Sequence, residues 1–217
     1  MSEVVKSPPR RDRRARQAAD TRRRIIEAAG SLFAARGYAA TTIEAIAHEA
    51  DVAVETVYAR FSNKRRLLSE YLDVSMAGDF EPVPVLDRPN IRAIADETDQ
   101  HRQIELIAAH ARAICERSAT ALAVLRGAAS ADHRLEDLVE LNIRERREGQ
   151  RRLLEMVAHN GPLRPGVTFD YLVDTFSATV NPDSFHFLTM RCGWSAGRFE
   201  TWVVDMITHL VLPPTED

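Results

Sequence analysis

Glu55, Thr56 and Tyr58 stand close together, with Lys64 shortly after them, around the apolar pair Val57 and Phe61. These side chains suit recognition of a polar polymer better than bond-making. Thr56 can donate or accept a hydrogen bond, and its methyl can meet a thymine methyl. Glu55 can accept from cytosine N4, although neighbouring phosphates would repel it. Tyr58 and Lys64 suit phosphate oxygens, and Lys64 stands at a helix start whose free amides favour an anion. Val57 and Phe61, four apart, mark the buried face of a helix over about 54–60. Val54, Glu55, Thr56 and Tyr58 then lie near its N-terminal end, where reading helices usually touch bases. Tyr58 also fits a half-buried ring that anchors the helix, and the two uses are compatible.

The elements that must position this helix follow from pattern and punctuation. Ile43, Ile46 and Ala47 mark a preceding short helix, for which Thr41-x-x-Glu44 offers a capping box. Between the two helices, Asp51-Val52-Ala53 is too short to let them lie antiparallel and fits the angled turn of a helix-turn-helix. Upstream, Asp20 or Thr21 can cap a first helix that runs to about Arg36, stops at Gly37, and carries Ile25, Ala29, Leu32 and Phe33 as its stripe. Residues 1–19, with Pro8-Pro9 and the run RRDRRAR, read as a disordered basic arm that either contacts DNA or serves only as a solvated tail. Ser62 or Asn63 can cap a fourth helix bearing Leu67, Leu68, Tyr71, Leu72 and Met76, which connects two domains.

Three prolines in 78–90 break the pattern, so the expected organisation is an arm at 1–19, a DNA-binding domain with its connecting helix at 20–77, a linker at 78–90 and a second domain at 91–212. Helical periodicity returns at about 98–117, 118–130, 132–159, 168–179, 182–191 and 195–212. No segment alternates as a strand would, and the expected fold class is all-α.

The chain has 217 residues, 45% of them hydrophobic, enough for a sizeable core. Its net charge of −3 does not suggest a nucleic-acid binder. The average conceals an asymmetry: residues 1–77 carry 14 Lys and Arg against 10 Asp and Glu, whereas 78–217 carry 15 against 22. The basic excess sits with the helix-turn-helix. Two cysteines, Cys115 and Cys192, cannot build a disulfide framework or a four-cysteine zinc site, and read as buried reduced thiols. No apolar run of about 18 residues and no signal-peptide pattern occurs, so the expectation is a soluble cytoplasmic protein, with its DNA, and no membrane partner.

The run from Ile25, Ala28-Ala29 and Leu32-Phe33 through Gly37-Tyr38, Thr41-Thr42-Ile43, Ile46-Ala47, Val52, Thr56-Val57-Tyr58, Phe61 and Lys64 resembles the N-terminal domain of TetR/AcrR-type bacterial transcriptional regulators. The likeness covers about 21–72. It implies that Thr42, Tyr58 and Lys64 contact phosphates and that Glu55 and Thr56 face bases. The family commonly has Gly and Ser where this chain has Asp51 and Ala53. Asp tolerates a left-handed turn moderately well. Ala53 removes a capping hydroxyl, a loss of about 1 kcal/mol in typical helices, which Glu55 partly offsets through the helix dipole.

The same resemblance implies an all-α second domain that dimerises and often binds a small effector. Cys192-Gly193-Trp194-Ser195, followed by Phe199, Trp202, Val203, Met206 and Leu210, is similar to the last helix of many members. With Phe185 and Leu188 on the preceding helix, Phe199, Trp202, Met206 and Leu210 are the candidate homodimer face; the alternative is an ordinary intrachain core. His101, His110, Phe176, Thr179 and His186 are candidates for an effector pocket, or surface and satisfied core residues. The run Arg144-Glu145-Arg146-Arg147-Glu148 reads as a solvated helix face. Catalytic signatures are missing: His48-Glu49 begins like a zinc-protease helix, but Val52 stands where the second His is needed, and no Gly-rich nucleotide loop or G-x-S-x-G occurs. No enzyme activity, metal or cofactor is expected. The expected function is a dimeric repressor released from a palindromic operator by a small molecule. The alternatives are an activator, a regulator controlled by a protein partner, or an interaction adaptor that does not bind DNA.

Overall fold

The computed structural model describes residues 10–81, 83 and 87–214. Among them every regular element is helical, as the periodicity predicts. The chain divides into two compact units, residues 1–72 and 73–217. The boundary falls inside a helix, α4 (Lys64–Ala77), rather than in the proline-rich stretch that follows. Leu67, Leu68 and Leu72 on its first turns are buried, while Met76 and Ala77 in its last turn are met by side chains of the second unit.

The first unit opens with α1 (Arg10–Ala40). The expected disordered arm is therefore corrected for residues 10–19, which are helical; residues 1–9 lie outside the described residues. The reason is local: beyond Pro8-Pro9, Arg, Ala and Gln are all good helix formers, and no breaker intervenes. Gly37 interrupts α1 with φ 77° and ψ 164°, so regular helix ends where the sequence predicts. Two short helices follow, α2 (Ile43–Glu49) and α3 (Val54–Phe61). The core of this head is Ile25, Ile26, Ala29, Leu32 and Phe33 from α1, Ile43, Ile46 and Ala47 from α2, Val57 and Phe61 from α3, and the leucines of α4.

The cap of α2 is one residue later than the sequence suggests. Thr41 is buried, and its hydroxyl lies within hydrogen-bonding distance of the carbonyls of Gly37 (2.8 Å) and Leu32 (3.2 Å). Thr42 is the N-cap, accepting from the Ala45 amide at 3.2 Å. The interrupted end of α1 leaves carbonyls that need a buried donor, and Thr41 supplies it.

The second unit contains α5 (Pro89–Asp96), α6 (Gln100–Ala131), α7 (Glu136–Asn160), α8 (Phe169–Thr179), α9 (Pro182–His186) and α10 (Ala196–Val211). A 3₁₀ turn at His133–Leu135 leads into α7, and a π-helical turn at Phe187–Arg191 follows α9. The helix α5 begins inside the expected linker, with proline in its first turn where a missing amide costs nothing. Its Ile91 and Ile94 are buried in the same core as Ile104 and Ile107 of α6, Leu153, Leu154 and Val157 of α7, Phe176 of α8 and Phe199, Val203 and Ile207 of α10. The two helices expected at 98–117 and 118–130 are one, α6, in which Ser118 satisfies its hydroxyl on the carbonyl of Ile114 and stays within the helix. Gln103, fully buried, donates to the carbonyls of Ile94 and Glu97 and accepts from Asn160, which ties the α5–α6 turn to the end of α7.

His110 of α6 accepts through Nδ1 from the Asn90 amide at 2.7 Å, which suits a neutral ring. Burial, helped by the nearby Arg117 guanidinium, pushes it down to about 4. An unfolded histidine titrates near 6.5, so between these values the unfolded chain binds the extra proton. Stability present above pH 6.5 is therefore lost as pH falls toward 4. Urea midpoints measured across that range should decline more steeply for the native protein than for His110→Gln.

Candidate DNA interface

The turn between α2 and α3 is closed by its own backbone. The amides of Ala50, Asp51 and Val52 donate to the carbonyls of Ile46, His48 and Ala47 at 2.9, 3.1 and 3.0 Å. Asp51 takes the left-handed conformation, φ 52°, that such a tight reversal requires. Ala53 is the N-cap of α3 and provides no side-chain hydrogen bond, as the sequence implies. The Thr56 amide instead donates to the Ala53 carbonyl at 2.9 Å.

The helix α3 has two faces. Val57 and Phe61 are each 1% exposed, whereas Tyr58 is 48% exposed. Glu55 is exposed beside Tyr58, while Val54 and Thr56 are half-buried. The four residues expected near base edges thus lie in the first half of a helix that presents one side outward. Arg60 and Ala59 are also exposed on α3. Together with Arg22, Glu55, Thr56, Phe61 and Glu70 they line an open depression beside the helix. Thr42 is exposed at the start of α2; its oxygen is already engaged by the Ala45 amide, leaving the hydroxyl proton for an outside acceptor.

Lys64 is placed differently from its expected phosphate role. Its Nζ donates to the carbonyls of Thr41 at 2.7 Å and Tyr38 at 2.8 Å, approaches Ala39 O at 3.5 Å, and sits 4.3 Å above the Tyr38 ring. Partial burial lowers its pKa. The ammonium therefore fastens the start of α4 to the end of α1, and its donors are occupied. The start of α4 is capped by Asn63, whose Oδ1 accepts from the Arg66 amide at 2.8 Å.

A second fastening was not read from the sequence. Glu70 is almost buried, and both carboxylate oxygens are used, one by Arg22 of α1 (2.7 and 2.9 Å) and the other by Arg66 (3.1 Å). The Arg66-x-x-x-Glu70 spacing was the available signal.

In the second unit the five candidate effector residues do not converge. His101 and His186 are exposed, Phe176 is part of the core, Thr179 turns its hydroxyl to the Thr175 carbonyl, and His110 is occupied by Asn90. The candidate dimer face also divides. Phe185 and Phe199 are core residues with their rings edge to face at 5.0 Å, a correction to that expectation. They point inward because α9 and α10 must bury one side against α6. Leu188, Trp202, Met206 and Leu210 are half-buried, and the exposed apolar residues beside them are Phe187 and Met190. Cys115 is buried, which pushes its thiol up to about 12, but Cys192 is exposed, contrary to expectation. The Arg144–Glu148 run is not wholly solvated: Arg146 is half-buried.

Two short helices, α2 and α3, held across a tight turn and packed on α1 and α4, form a helix-turn-helix head, which a larger helical unit follows in the chain. Residues 25–71 match the family model of bacterial regulatory proteins, tetR family. Its fold is similar to that of a putative transcriptional regulator from Saccharomonospora viridis in complex with choline, at 18% identity over 88% of this chain and 96% of the other, with a TM-score of 0.64. A putative TetR-family regulator from Mesorhizobium loti is similar at 16% identity, 90% and 98% coverage and a TM-score of 0.65. The regulator FadR from Bacillus subtilis, in complex with stearoyl-CoA, is similar at 16% identity, 85% and 96% coverage and a TM-score of 0.67. No curated protein matches the chain.

Because the Lys64 ammonium is committed to carbonyls, Lys64→Met should lower the unfolding free energy by about 1.5–3 kcal/mol, the worth of one hydrogen bond to a charged group. Any loss of DNA affinity that remains where the head is fully folded reports the placement of the α1–α2 turn. Urea denaturation and DNA titration on the same preparation separate the two.

Proposed function

We propose that the protein is a dimeric repressor that binds a palindromic operator and is released from it by a small-molecule effector. The observation that carries this reading is the two-faced α3: Val57 and Phe61 lock it to the head while Glu55 and Tyr58 face outward and Thr56 remains partly accessible. Val54, Glu55 and Thr56 then read base edges, and Tyr58 and Thr42 hold phosphates. Arg60 adds a cation to this surface. Lys64 shapes the site by positioning the α1–α2 turn.

Dimerisation is supported by the apolar surface around the π-helical turn and α10. Phe187 is 59% and Met190 70% exposed, next to half-buried Leu188, Trp202, Met206 and Leu210. Isolated exposed apolar residues are ordinary, but a group of six on neighbouring turns favours association. A two-fold dimer places two heads on two half-sites. Effector control is supported by the solved structures of similar fold that hold choline and stearoyl-CoA. Release follows if the effector binds one of two arrangements more tightly, and α4, continuous between the units, conveys the difference.

Titration of the purified protein with DNA from its own promoter region should show a salt-dependent preference over unrelated DNA. Thr56→Ala should change sequence preference, with a cost of about 1–3 kcal/mol at one base position. Absence of any preference for that DNA would defeat the proposal. In sedimentation, Met190→Glu should shift a dimer toward monomer while the helical circular dichroism signal stays intact.

A further inference from the structure

The inward side of α7 carries an unusual polar sequence. Asn142, Arg146 and Gln150 recur every four residues and so share one face. Asn142 and Gln150 are buried, and Arg146 is half-buried between them. The same helix continues with Leu153, Leu154 and Val157 in the apolar core. Two turns of polar side chains thus occupy the seam at the end of an apolar core, where each donor and acceptor needs a partner.

Two of them have none among the described residues. Arg146 Nε and Gln150 Oε1 are buried side-chain atoms without a hydrogen-bond partner. The orientation of Gln150 is fixed, because its Nε2 donates to the Val180 carbonyl at 2.8 Å and so turns the oxygen the other way. Three other arginines of α7 are ion-paired: Arg147 meets Asp174, Arg151 meets Asp170 and Arg152 meets Glu148. Burial lowers the Arg146 pKa and keeps the nearby Cys115 thiol of α6 neutral, and no carboxylate is ion-paired with Arg146 among the described residues. Arg126 of α6 adds positive potential to the same region, although it is itself paired with Asp183.

A buried guanidinium N–H and a buried amide oxygen without partners, on residues four apart along one face of α7, are complementary to an acceptor and a donor of one bound molecule. We propose that the effector is a small organic anion that also carries a hydroxyl or N–H donor. Arg146 binds the anionic oxygen and Gln150 Oε1 accepts from the donor. The proposal rests on the reading that the second unit takes a small effector, and assigns that effector's chemistry. It also supplies a route to α4. Asn142, one turn from Arg146, donates to the Met76 sulfur at 3.4 Å, and Arg117 donates to the Met76 carbonyl at 3.0 Å. An anion that draws Arg146 and Gln150 together acts on the stretch of α7 that touches the last turn of α4.

The test uses the full chain and three related probes: 3-hydroxybenzoate, benzoate, which lacks the donor, and 3-hydroxybenzamide, which lacks the charge. In calorimetric titration 3-hydroxybenzoate should bind at least tenfold more tightly than either of the others, and Arg146→Met should abolish that advantage. Arg146→Met should leave the thermal midpoint of the free protein unchanged or raised, because it removes a half-buried charge that has no partner. A lowered midpoint would make Arg146 a structural residue and overturn the proposal. So would equal affinity for the amide and the hydroxybenzoate, or binding that Arg146→Met leaves unaltered. The same probes, with a panel of neutral and cationic compounds, are then applied to the protein–DNA complex. Release by neutral or cationic compounds alone overturns the anion assignment and leaves effector control standing. No binding and no release by any compound overturns both.

Discussion

An eight-residue helix has no independent stability in water, since nucleation costs more than so few hydrogen bonds return. The helix α3 is that length and lacks a side-chain cap, so it exists only because Val57 and Phe61 are held in the head's core. Everything proposed for the outward face depends on that anchorage. The surrounding devices act on the frame that receives those two side chains. Thr41 and Lys64 satisfy the carbonyls left at the break in α1, and Glu70 joins α1 to α4 through two guanidiniums. Each replaces a hydrogen bond to water with one inside the head, at points where an orphaned carbonyl or charge would otherwise favour opening.

The helix α4 has a double character that follows from the same accounting. Its first turns contribute leucines to the head, and its last turn is held by groups of the second unit. Arg117 donates to Met76, and Arg88 donates to the Ala77 carbonyl while also pairing with Asp79. The last carbonyls of a helix have no acceptor role within it, and cationic donors are favoured there by the helix dipole. The end of α4 is thus defined by side chains that belong to α6 and to the segment before α5. A change in those side chains alters where the helix ends.

The pattern of apolar residues was enough to read the all-α class, the helix-turn-helix and the inward positions Val57 and Phe61, because burial of a stripe leaves a periodic mark. Features set by single hydrogen bonds left no such mark. Thr41 and Thr42 are both good capping residues, and only the burial of Thr41 against Gly37 and Leu32 decides that Thr42 is the cap. Lys64 at a helix start reads as a phosphate ligand, and its hydrogen bonds to the carbonyls of Tyr38 and Thr41 leave no periodic trace in the sequence. The charge run at 10–16 suggests a solvated arm, but the helix propensity of its Arg, Ala and Gln residues carries α1 through it. Phe185 and Phe199 looked like interface residues because an apolar stripe does not say whether its partner is the same chain or another.

Arg146 illustrates the opposite failure. Within the run Arg144–Glu148 every residue is charged, and the run reads as solvated face; yet a helix in a bundle must turn one residue in four toward its neighbours. Here that residue is an arginine, flanked at helical spacing by Asn142 and Gln150. Folding alone would favour apolar side chains at these positions, since half-buried charge without a partner is unfavourable. Their presence on the face of α7 whose Asn142 meets Met76 puts two buried, unpartnered polar atoms on the helix that reaches the end of α4. A ligand that satisfies them gains its binding energy where the second unit defines that helix end, which is the differential interaction a two-state regulator requires.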